Sequence, residues 1–442
     1  MSGVVDRVAA RAADVLREND RGGTTLAAPR LYPHQWSWDA AFISIGLTRL
    51  SVPRALTELA NLLRGQWGTG MIPQIVFSGR DGYFPGPDRW RTAGAAASPA
   101  AVQTSGICQP PVHSVALYLI CDQARRNGGD DARAATEFVR STFDDWFRWH
   151  SWLSDVRDPA GRGLVEIHHG WESGMDNSPR WDAAYSRIRV GPMPPFVRED
   201  TKHVGDVAQR PSDEDYRRYL WLVEQLASVG YDDERTREVI DFRVADVFFS
   251  AVLALASDLL ADLGEELGRV EQVRSLREMA RRGRAGVTAA VSPTTGLAMD
   301  YDVRTGEWVA TQTLGGFAPL VCGADPQTYT AQVDLLLGER WCGHPALRLP
   351  LPPTTSPMSG AFTPNNYWRG PQWPVTSWLL SWALEHHGHA DAAATIRAAG
   401  LEQLSDLSFA EYYDATDGTA LGSRHQSWTA AAALAWAGEA TR

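Results

Sequence analysis

The stretch that decides the fold is "VADVFFSAVLALASDLLADL", residues 244–263, which is followed by "EELGRVEQVRSLREMARRGRA", residues 265–285. In both segments the apolar residues recur at spacings of three and four, the pattern of a helix that buries one face. The longest apolar run, "VFFSAVLALA", is too short to span a bilayer. These residues therefore predict two consecutive helices in a globular protein.

The same periodicity extends along most of the chain. It predicts further helices at residues 4–17, 39–63, 112–127, 132–155, 213–227, 371–387 and 390–404. Strand signals are few, and the best is a hairpin at residues 296–311 around Thr305-Gly306. Long loops at residues 19–38, 65–111 and 340–374 are rich in Trp, Tyr, Pro and Gly. This profile indicates a mostly α protein with functional loops at one end, and it favours a double-ring α-barrel over a four-helix bundle.

Composition restricts the partners. The chain has 442 residues and a formal net charge of −11, which argues against nucleic acid or an anionic membrane as a partner. The four cysteines show neither a CxxC motif nor the spacing of a zinc site, which predicts reduced, buried thiols. The N-terminal segment is a charged amphipathic helix rather than a signal peptide, so we expect a cytoplasmic protein. Whether it forms a homo-oligomer stays open.

One loop mixes carboxylates with large aromatic side chains. In "GWESGMDNSPRWD", residues 170–182, Asp176 lies between two tryptophans and just before a Ser-Pro pair that predicts a helix start. Burial against aromatic rings raises the pKa of a carboxyl group, whereas a nearby helix N-terminus lowers it. If burial prevails, Asp176 can donate a proton near neutral pH; otherwise it caps the loop. Glu172 and Asp182 are the other acids of the stretch, and Asp182 suits the first turn of the helix.

A second acid has similar neighbours. Glu411 lies in "LSFAEYYDATDGTALG", residues 407–422, with aromatic residues on both sides and a turn predicted at Asp417-Gly418. Two carboxyl groups in aromatic surroundings are what glycoside cleavage requires, since one protonates the leaving oxygen and the other activates water or attacks the sugar.

Three more clusters combine aromatic and polar residues at loop–helix junctions. They are "LYPHQWSWDAAF" (residues 31–42), "NNYWRGPQWP" (residues 365–374) and "SRHQSWTA" (residues 423–430). Trp and Tyr present apolar faces to sugar C–H groups and polar edges to hydroxyls. Each cluster alone fits core packing, but together they indicate a sugar pocket.

The motifs of the chain, taken together, resemble those of a known family. "HQWSWDAAF", "FPGPDRW", "SGICQPPVH", "GWESGMDNSPRWD", "NNYWRGPQWP" and "EYYDATDGTALG" followed by "QSWTA" resemble glycoside hydrolase family sixty-three, and more narrowly its bacterial glucosylglycerate and mannosylglycerate hydrolases. The matches run in order from about residue 29 to residue 437. The segment "QRPSDEDYRRYLWLVE", residues 209–224, looks closer to the glucosylglycerate enzymes.

The resemblance implies a fold and an activity. It implies an all-α (α/α)6 barrel in which residues 1–442 form one catalytic domain, with inserted loops at about 65–111, 160–215 and 340–374. It also implies inverting hydrolysis of the α-glycosidic bond of glucosylglycerate, a small anionic glycoside, with neither cofactor nor metal. By the same resemblance, Asp176 matches the general acid and Glu411 the general base.

The resemblance further implies the substrate contacts. The residues that match sugar-binding positions are Tyr32, Trp36, Trp38, Asp39, Trp171, Gly174, Tyr367, Trp368, Trp373, Gln426 and Trp428. Those expected around the glycerate are Tyr83, Gln109, Arg210 and Tyr216. The proline-rich stretch "GHPALRLPLPPTTSPMSG", residues 343–360, departs from the family pattern, which predicts a differently shaped entrance to the site.

Several alternatives remain at this stage. Within the class they are a mannosylglycerate hydrolase and an α-glucosidase or trehalase-like enzyme for small disaccharides. Outside the class, a sugar epimerase on a similar barrel would use histidines such as His168-His169, and a non-catalytic sugar-binding protein would need no acids. Arg210 has an alternative of its own, because it could pair with Asp213 or Glu214 on the surface.

Overall fold

A computed structural model describes residues 2–29, 31–79, 83–198 and 209–440 of the chain. Parts of two predicted loops, residues 80–82 and 199–208, lie outside the described residues. The helices are α1 (Ser2–Asn19), α2 (Ser37–Leu47), α3 (Val52–Leu63), α4 (Pro87–Trp90), α5 (His113–Asn127), α6 (Gly129–Asp155), α7 (Asp182–Ser186), α8 (Asp213–Ser228), α9 (Asp233–Val239), α10 (Val247–Glu266), α11 (Val270–Ala289), α12 (Ala318–Cys322), α13 (Pro326–Leu337), α14 (Pro374–His386), α15 (Ala390–Gln403) and α16 (Ser427–Ala440). The strands are β1 (Gln35–Trp36), β2 (Ile75–Val76), β3 (Val165–Ile167), β4 (Val244–Asp246), β5 (Asp300–Asp302), β6 (Glu307–Val309), β7 (Tyr412–Tyr413) and β8 (Ala420–Leu421).

Twelve of these helices form two concentric rings. In the inner ring α2, α5, α10, α12, α14 and α16 each contact the next, and α16 returns to α2. Each inner helix also packs against an outer one, which pairs α2 with α3, α5 with α6, α10 with α11, α12 with α13, α14 with α15 and α16 with α1. The protein is therefore an (α/α)6 barrel, as predicted, and its two terminal helices close the rings together.

The inner helices are apolar around most of their circumference because both faces are covered. Every residue of α2 is buried. Within the described part of the chain, α10 is the helix with the length and composition of a membrane span, and 89% of that window is buried inside the fold. Its high hydropathy is accounted for by packing against α5, α6, α11 and α12.

Several predicted helices have different boundaries in the structure, and two of them differ by a change of structure rather than by a shifted end. The stretch predicted as one helix at residues 39–63 is α2 and α3, separated at residues 48–51. Ser51 caps α3 by accepting a hydrogen bond from the Arg54 backbone N–H, and Pro53 follows at a position where helices tolerate it. Residues 244–246 form β4 rather than helix, and Asp246 caps α10 through the N–H groups of Phe248 and Phe249. Helices α4, α9, α12, α13 and α16 are absent from the predicted set.

Short antiparallel strands stiffen the loop end of the barrel. β3, β4, β5 and β6 form one sheet in that order, and its β5–β6 turn lies where the hairpin is predicted. β1 pairs with β2, and β7 pairs with β8 around the turn at Asp417-Gly418. Because β1, β3, β4 and β7 each lead directly into loops or helix starts at this end, the sheets fix where those segments lie.

Candidate active site

A cavity opens where α2, α5, α14 and α16 begin. Every residue predicted for the catalytic pair and the substrate contacts lines this cavity, except Trp373. All three predicted loop regions contribute, through Gln109, Asp176 and Tyr367 among others. The proline-rich stretch at residues 343–360, all of which the structure describes, contributes nothing to the lining. The departure from the family pattern therefore lies away from the cavity wall.

Trp373 lies behind the wall. Its ring stacks on Trp368 with the ring centroids 3.7 Å apart, and on Tyr412 at 4.7 Å. Its indole N–H donates to the Tyr367 carbonyl at 3.0 Å. Trp373 thus supports the residues that face the cavity.

The structure adds lining residues that the sequence reasoning did not single out. They are Leu31, Gln74, Ile75, Phe84, Pro85, Trp90 and Pro211. Phe84, Pro85 and Trp90 belong to the "FPGPDRW" motif, so that motif could have indicated them. Gln74 and Ile75 reach the cavity because β2 pairs with β1, a tertiary contact that no local pattern reports.

Asp176 follows a tight turn made by residues 170–174. The Ser173 hydroxyl donates to the Gly170 carbonyl at 2.6 Å and accepts from the Met175 N–H at 2.9 Å. Gly174 has φ +71°, and a Cβ there would lie 2.5 Å from the Trp38 ring. Only glycine fits both the backbone angle and the close approach of the tryptophan. The predicted helix starts beyond this turn, at Pro179, although Ser178 makes no side-chain cap bond.

The cavity changes the acidity of Asp176. Burial raises the pKa of Asp176 to about 7; the Arg210 guanidinium lowers it, Glu411 raises it, and a hydrogen bond from Tyr367 lowers it. The effect of burial on the pKa therefore outweighs the opposing effects, as the proton-donor interpretation of the sequence requires. A carboxyl group with this pKa can donate a proton near neutral pH.

The other two acids of the stretch are held as anions or lie outside the cavity. Glu172 is fully buried, yet the Arg157 guanidinium and several hydrogen bonds outweigh burial and lower the pKa of Glu172 to about 2. Asp182 accepts two 2.7 Å hydrogen bonds from Arg369 and is exposed. Neither lines the cavity.

Glu411 is fixed by three donors. The Tyr32 hydroxyl donates to Glu411 Oε1 at 2.8 Å, and the Ser423 N–H donates to Oε2 at 3.0 Å. The Arg210 guanidinium lies 3.4 Å from Oε2 and also donates to the Tyr32 hydroxyl at 3.1 Å. Gly422 has φ +68°, and a Cβ there would lie 2.5 Å from Glu411 Oε2, so a glycine is needed beside the carboxylate.

Arg210 is a buried residue of the cavity. Its guanidinium stacks over the Tyr367 ring at 4.5 Å, and its buried Nε has no hydrogen-bond partner within the described part of the chain. Asp213 pairs instead with Arg198, and Glu214 pairs with Arg218. The surface pairing considered for Arg210 is therefore not what the structure shows.

A third carboxyl group, Asp39, completes the cavity at the first turn of α2. Burial raises the pKa of Asp39 well above its usual range, and Glu411 and Asp176 raise it further. Trp38 beside it packs against Trp428 and Trp368, with ring centroids 5.4 Å and 6.2 Å away. The result is a pocket of aromatic walls with three carboxyl groups and one guanidinium.

Asn177 ties two loops of the wall together. Its side chain accepts from the Trp368 N–H at 2.9 Å and donates to Asn366 at 2.8 Å. Asp176 is thereby held next to the loop that carries Tyr367.

The comparisons with known proteins agree with this geometry. The family model described as the mannosylglycerate hydrolase MGH1-like glycoside hydrolase domain matches residues 32–429. The chain belongs to this family. It is 51% identical to a glucosylglycerate hydrolase of Mycolicibacterium hassiacum, with 98% of each chain covered. It is 40% identical to a mannosylglycerate hydrolase of Thermus thermophilus, with 96% of this chain and 99% of that one covered.

A solved structure shares the whole fold. The crystal structure of a family 63 mannosylglycerate hydrolase from Thermus thermophilus, in complex with Tris and D-glycerate, superposes with a TM-score of 0.89 at 38% identity. The match covers 98% of this chain and 100% of that chain. The chain is a glycoside hydrolase with the barrel of family 63.

The histidines considered for an epimerase take no part in the cavity of this glycoside hydrolase. His168 and His169 are buried and do not line the cavity. Burial lowers the pKa of His169 to about 4, and burial followed by the nearby Arg157 lowers the pKa of His168. Among the described residues, no group of three or more His, Cys, Asp or Glu is arranged to hold a metal ion.

Proposed function

We propose that the chain hydrolyses the α-glycosidic bond of glucosylglycerate with inversion, releasing glucose and glycerate. The observation that carries the proposal is the pair of acids in one cavity, where Asp176 has a pKa of about 7 and Glu411 is held at both oxygens. The 51% identity to a glucosylglycerate hydrolase supports the choice of substrate.

The two acids take complementary roles. Asp176, protonated below neutral pH, gives its proton to the glycosidic oxygen as the bond to glycerate breaks. Glu411 takes a proton from the water that attacks the anomeric carbon on the opposite face. Tyr32, Arg210 and Ser423 orient Glu411 for that task, since they donate to its two oxygens.

The aromatic walls and Asp39 suit the glucosyl group. Trp38, Trp368 and Trp428 offer ring faces and edges to the sugar. Asp39 can bond two neighbouring hydroxyls, and the buried Gln426 Oε1 atom has no hydrogen-bond partner in residues 2–29, 31–79, 83–198 and 209–440. We assign these groups to the sugar.

The glycerate end requires a cation in a protein of net charge −11. Arg210 supplies it, because its Nε is buried and has no hydrogen-bond partner among the residues that the structure describes. A guanidinium offers a carboxylate two parallel hydrogen bonds. Tyr83, Gln109 and Tyr216 line the same cavity, and we assign them as the remaining glycerate contacts.

Mannosylglycerate is the second candidate substrate. The family model and the 40% identical Thermus thermophilus enzyme favour it. The two substrates differ only in the orientation of the sugar 2-hydroxyl, so both fit the same catalytic pair.

A hydrolysis screen tests the proposal. Glucosylglycerate, mannosylglycerate, trehalose and kojibiose are incubated with the wild type and with Asp176→Asn and Glu411→Gln. We expect glucosylglycerate to have the highest kcat/KM, and each variant to lose at least about 10²-fold in kcat. If kcat/KM is highest on mannosylglycerate, that compound is the preferred substrate instead. If Asp176→Asn keeps its activity, Asp176 is not the general acid.

Two wider expectations belong to the same proposal. Residues 1–442 act as one catalytic domain, because the helices near both ends of the chain close the same barrel. The protein works in the cytoplasm, which fits its four free, buried cysteines.

A further inference from the structure

A buried ion pair lies just behind the cavity wall. The two guanidinium nitrogens Nη2 and Nη1 of Arg157 donate to Glu172 Oε1 at 2.9 Å and to Oε2 at 3.0 Å. The side chain of Glu172 is 0% exposed and that of Arg157 is 5% exposed. Such a pair is costly to bury, so its presence here needs a reason beyond stability.

Each carboxylate oxygen of Glu172 also accepts a hydrogen bond from a backbone N–H group. Its Oε1 accepts from the Cys108 N–H at 3.2 Å and from the Cys108 thiol at 3.4 Å. Its Oε2 accepts from the His168 N–H at 2.6 Å. One carboxylate therefore joins three segments: the chain after α6, the loop before α5 and the loop after β3.

Two of the joined segments contribute different residues to the cavity lining. Cys108 precedes Gln109, one of the residues assigned to the glycerate. Glu172 lies within the turn of residues 170–174, which contains Gly174 and leads to Asp176. The distance between the proton donor and the leaving-group contacts thus depends on what Glu172 holds together.

The charge of the pair is constant at working pH. The pKa of Glu172 is about 2, and the neighbouring Glu172 carboxylate raises the pKa of Arg157 against the effect of burial. Glu172 neither lines the cavity nor exchanges a proton near neutrality, so it can act only through the segments that it holds.

We propose that Glu172, held by Arg157, is a positioning residue that sets the placement of Asp176 relative to Gln109. The proposal rests on the proposed function, because it concerns the transfer of a proton to the leaving glycerate. A shift of about 1 Å in a positioned group can cost about 10²-fold in rate.

The chain offers a matched control in a second buried ion pair. Glu166 is 2% exposed, and Arg243 Nε and Nη2 donate to its Oε2 at 3.0 Å and 2.7 Å. Neither residue lines the cavity. Glu166→Gln therefore removes a comparable buried charge. The Glu166 carboxylate lies 3.9 Å from the His168 ring, so this variant reaches the joint at that ring but leaves the Glu172 hydrogen bonds to Arg157 and Cys108 in place.

The experiment compares Glu172→Gln with Glu166→Gln. Melting temperature, kcat and KM for glucosylglycerate, the pH profile of kcat/KM, and glucose affinity by calorimetry are measured for both. We expect both variants to have a lower melting temperature than the wild type. Glu172→Gln should lose about 10–10²-fold in kcat with less than about threefold change in glucose affinity, while Glu166→Gln keeps kcat within about threefold.

The pH profile separates positioning from proton transfer. Glu172→Gln should keep the wild-type fall in kcat/KM near pH 7, since Asp176 still supplies the proton. Equal losses of kcat in the two variants, or loss of that fall in Glu172→Gln, would overturn the inference. Failure of the wild type to hydrolyse glucosylglycerate would reject the proposed function instead.

A milder variant covers the case in which Glu172→Gln does not fold. Cys108→Ala removes one donor to Glu172 and leaves the ion pair. We expect about a twofold to fivefold fall in kcat with little change in melting temperature. An unchanged kcat in folded Cys108→Ala would then overturn the inference.

Discussion

Glu172, Asp176 and Asp182 lie within one short stretch, and their surroundings give three similar side chains different chemistry. Arg157 keeps Glu172 ionised, Arg369 binds Asp182 near the surface, and the cavity raises the pKa of Asp176 to about 7. The sequence could narrow the choice to Asp176 from its aromatic neighbours. It could not exclude the other two, because the fold makes their pairings with Arg157 and Arg369, which lie 15 and 187 residues away in the chain.

The pH dependence of activity follows from Asp176. The general acid must be protonated, so kcat/KM for glucosylglycerate should fall as pH rises through about 7. Initial rates at low substrate concentration from about pH 4 to about pH 9 measure it. A profile that stays flat across this range would contradict the assignment.

Ionisation of the buried Asp176 carboxyl group should also lower the stability of the folded protein. Its pKa is about 7 in the folded protein and about 3.9 in an unfolded chain, so the folded state binds more protons between these values. Stability is therefore lost as pH rises from about 4 to about 7, and Asp176→Asn removes that loss. We expect the variant to melt a few degrees above the wild type at about pH 8 and with a smaller gain at about pH 5. A gain that is equal at both pH values would point to packing rather than charge.

Arg210→Ala should separate charged from neutral substrates. Loss of the carboxylate grip should raise KM for glucosylglycerate by about one to two decades, because a charged hydrogen bond contributes about 1.5–3 kcal/mol. Since Arg210 also touches Glu411, kcat should fall on a neutral glucoside too, but KM for that neutral glucoside should change far less.

Arg218→Ala is the control for this prediction, because Arg218 pairs with Glu214 and Asp215 at the surface of α8. It should leave both substrates near wild-type kinetics. Equal KM increases for charged and neutral substrates in Arg210→Ala would assign Arg210 to structure alone.

At the scale of elements, periodicity predicted most long helices but not where some of them end. Residues 39–63 read as one helix because the apolar spacing continues through the turn that separates α2 from α3. Residues 244–246 continue the apolar pattern of α10 but form β4, because β3 and β5 pair with them. Such pairings are tertiary, and a single-segment pattern does not contain them.

The turn before Asp176 can be tested by mutation, because it brings Gly174 against the Trp38 ring. Gly174→Ala places a Cβ 2.5 Å from the Trp38 ring at φ +71°, whereas Gly230→Ala meets nothing within 4 Å at φ +64°. Both variants should lose about 1 kcal/mol from the backbone angle. Only Gly174→Ala should also lose kcat, by about tenfold or more, because Trp38 or Asp176 must move. Chemical denaturation and steady-state kinetics compare them, and equal kcat in the two variants would contradict the account.

At the scale of the whole molecule, the cavity collects residues from Leu31 to Trp428 at one end of a closed barrel. The family resemblance predicted the barrel, and nearly all the residues it singled out line one cavity. It missed Gln74, which strand pairing with β1 brings into the cavity, and it assigned Trp373 to the sugar, whereas Trp373 packs behind the wall between Trp368 and Tyr412. The joint at Glu172 is visible only when Cys108, Arg157 and His168 are seen around one carboxylate.

Asp176 and Glu411, acting as general acid and general base, should invert the configuration at the anomeric carbon. Proton NMR of the anomeric region during the first minutes of glucosylglycerate hydrolysis tests this inversion most directly, before mutarotation mixes the anomers. We predict that β-glucose accumulates first, because water attacks the face opposite the leaving glycerate of an α-glycoside. Initial accumulation of α-glucose would show retention, and the assignment of Glu411 as a base that activates water would be wrong.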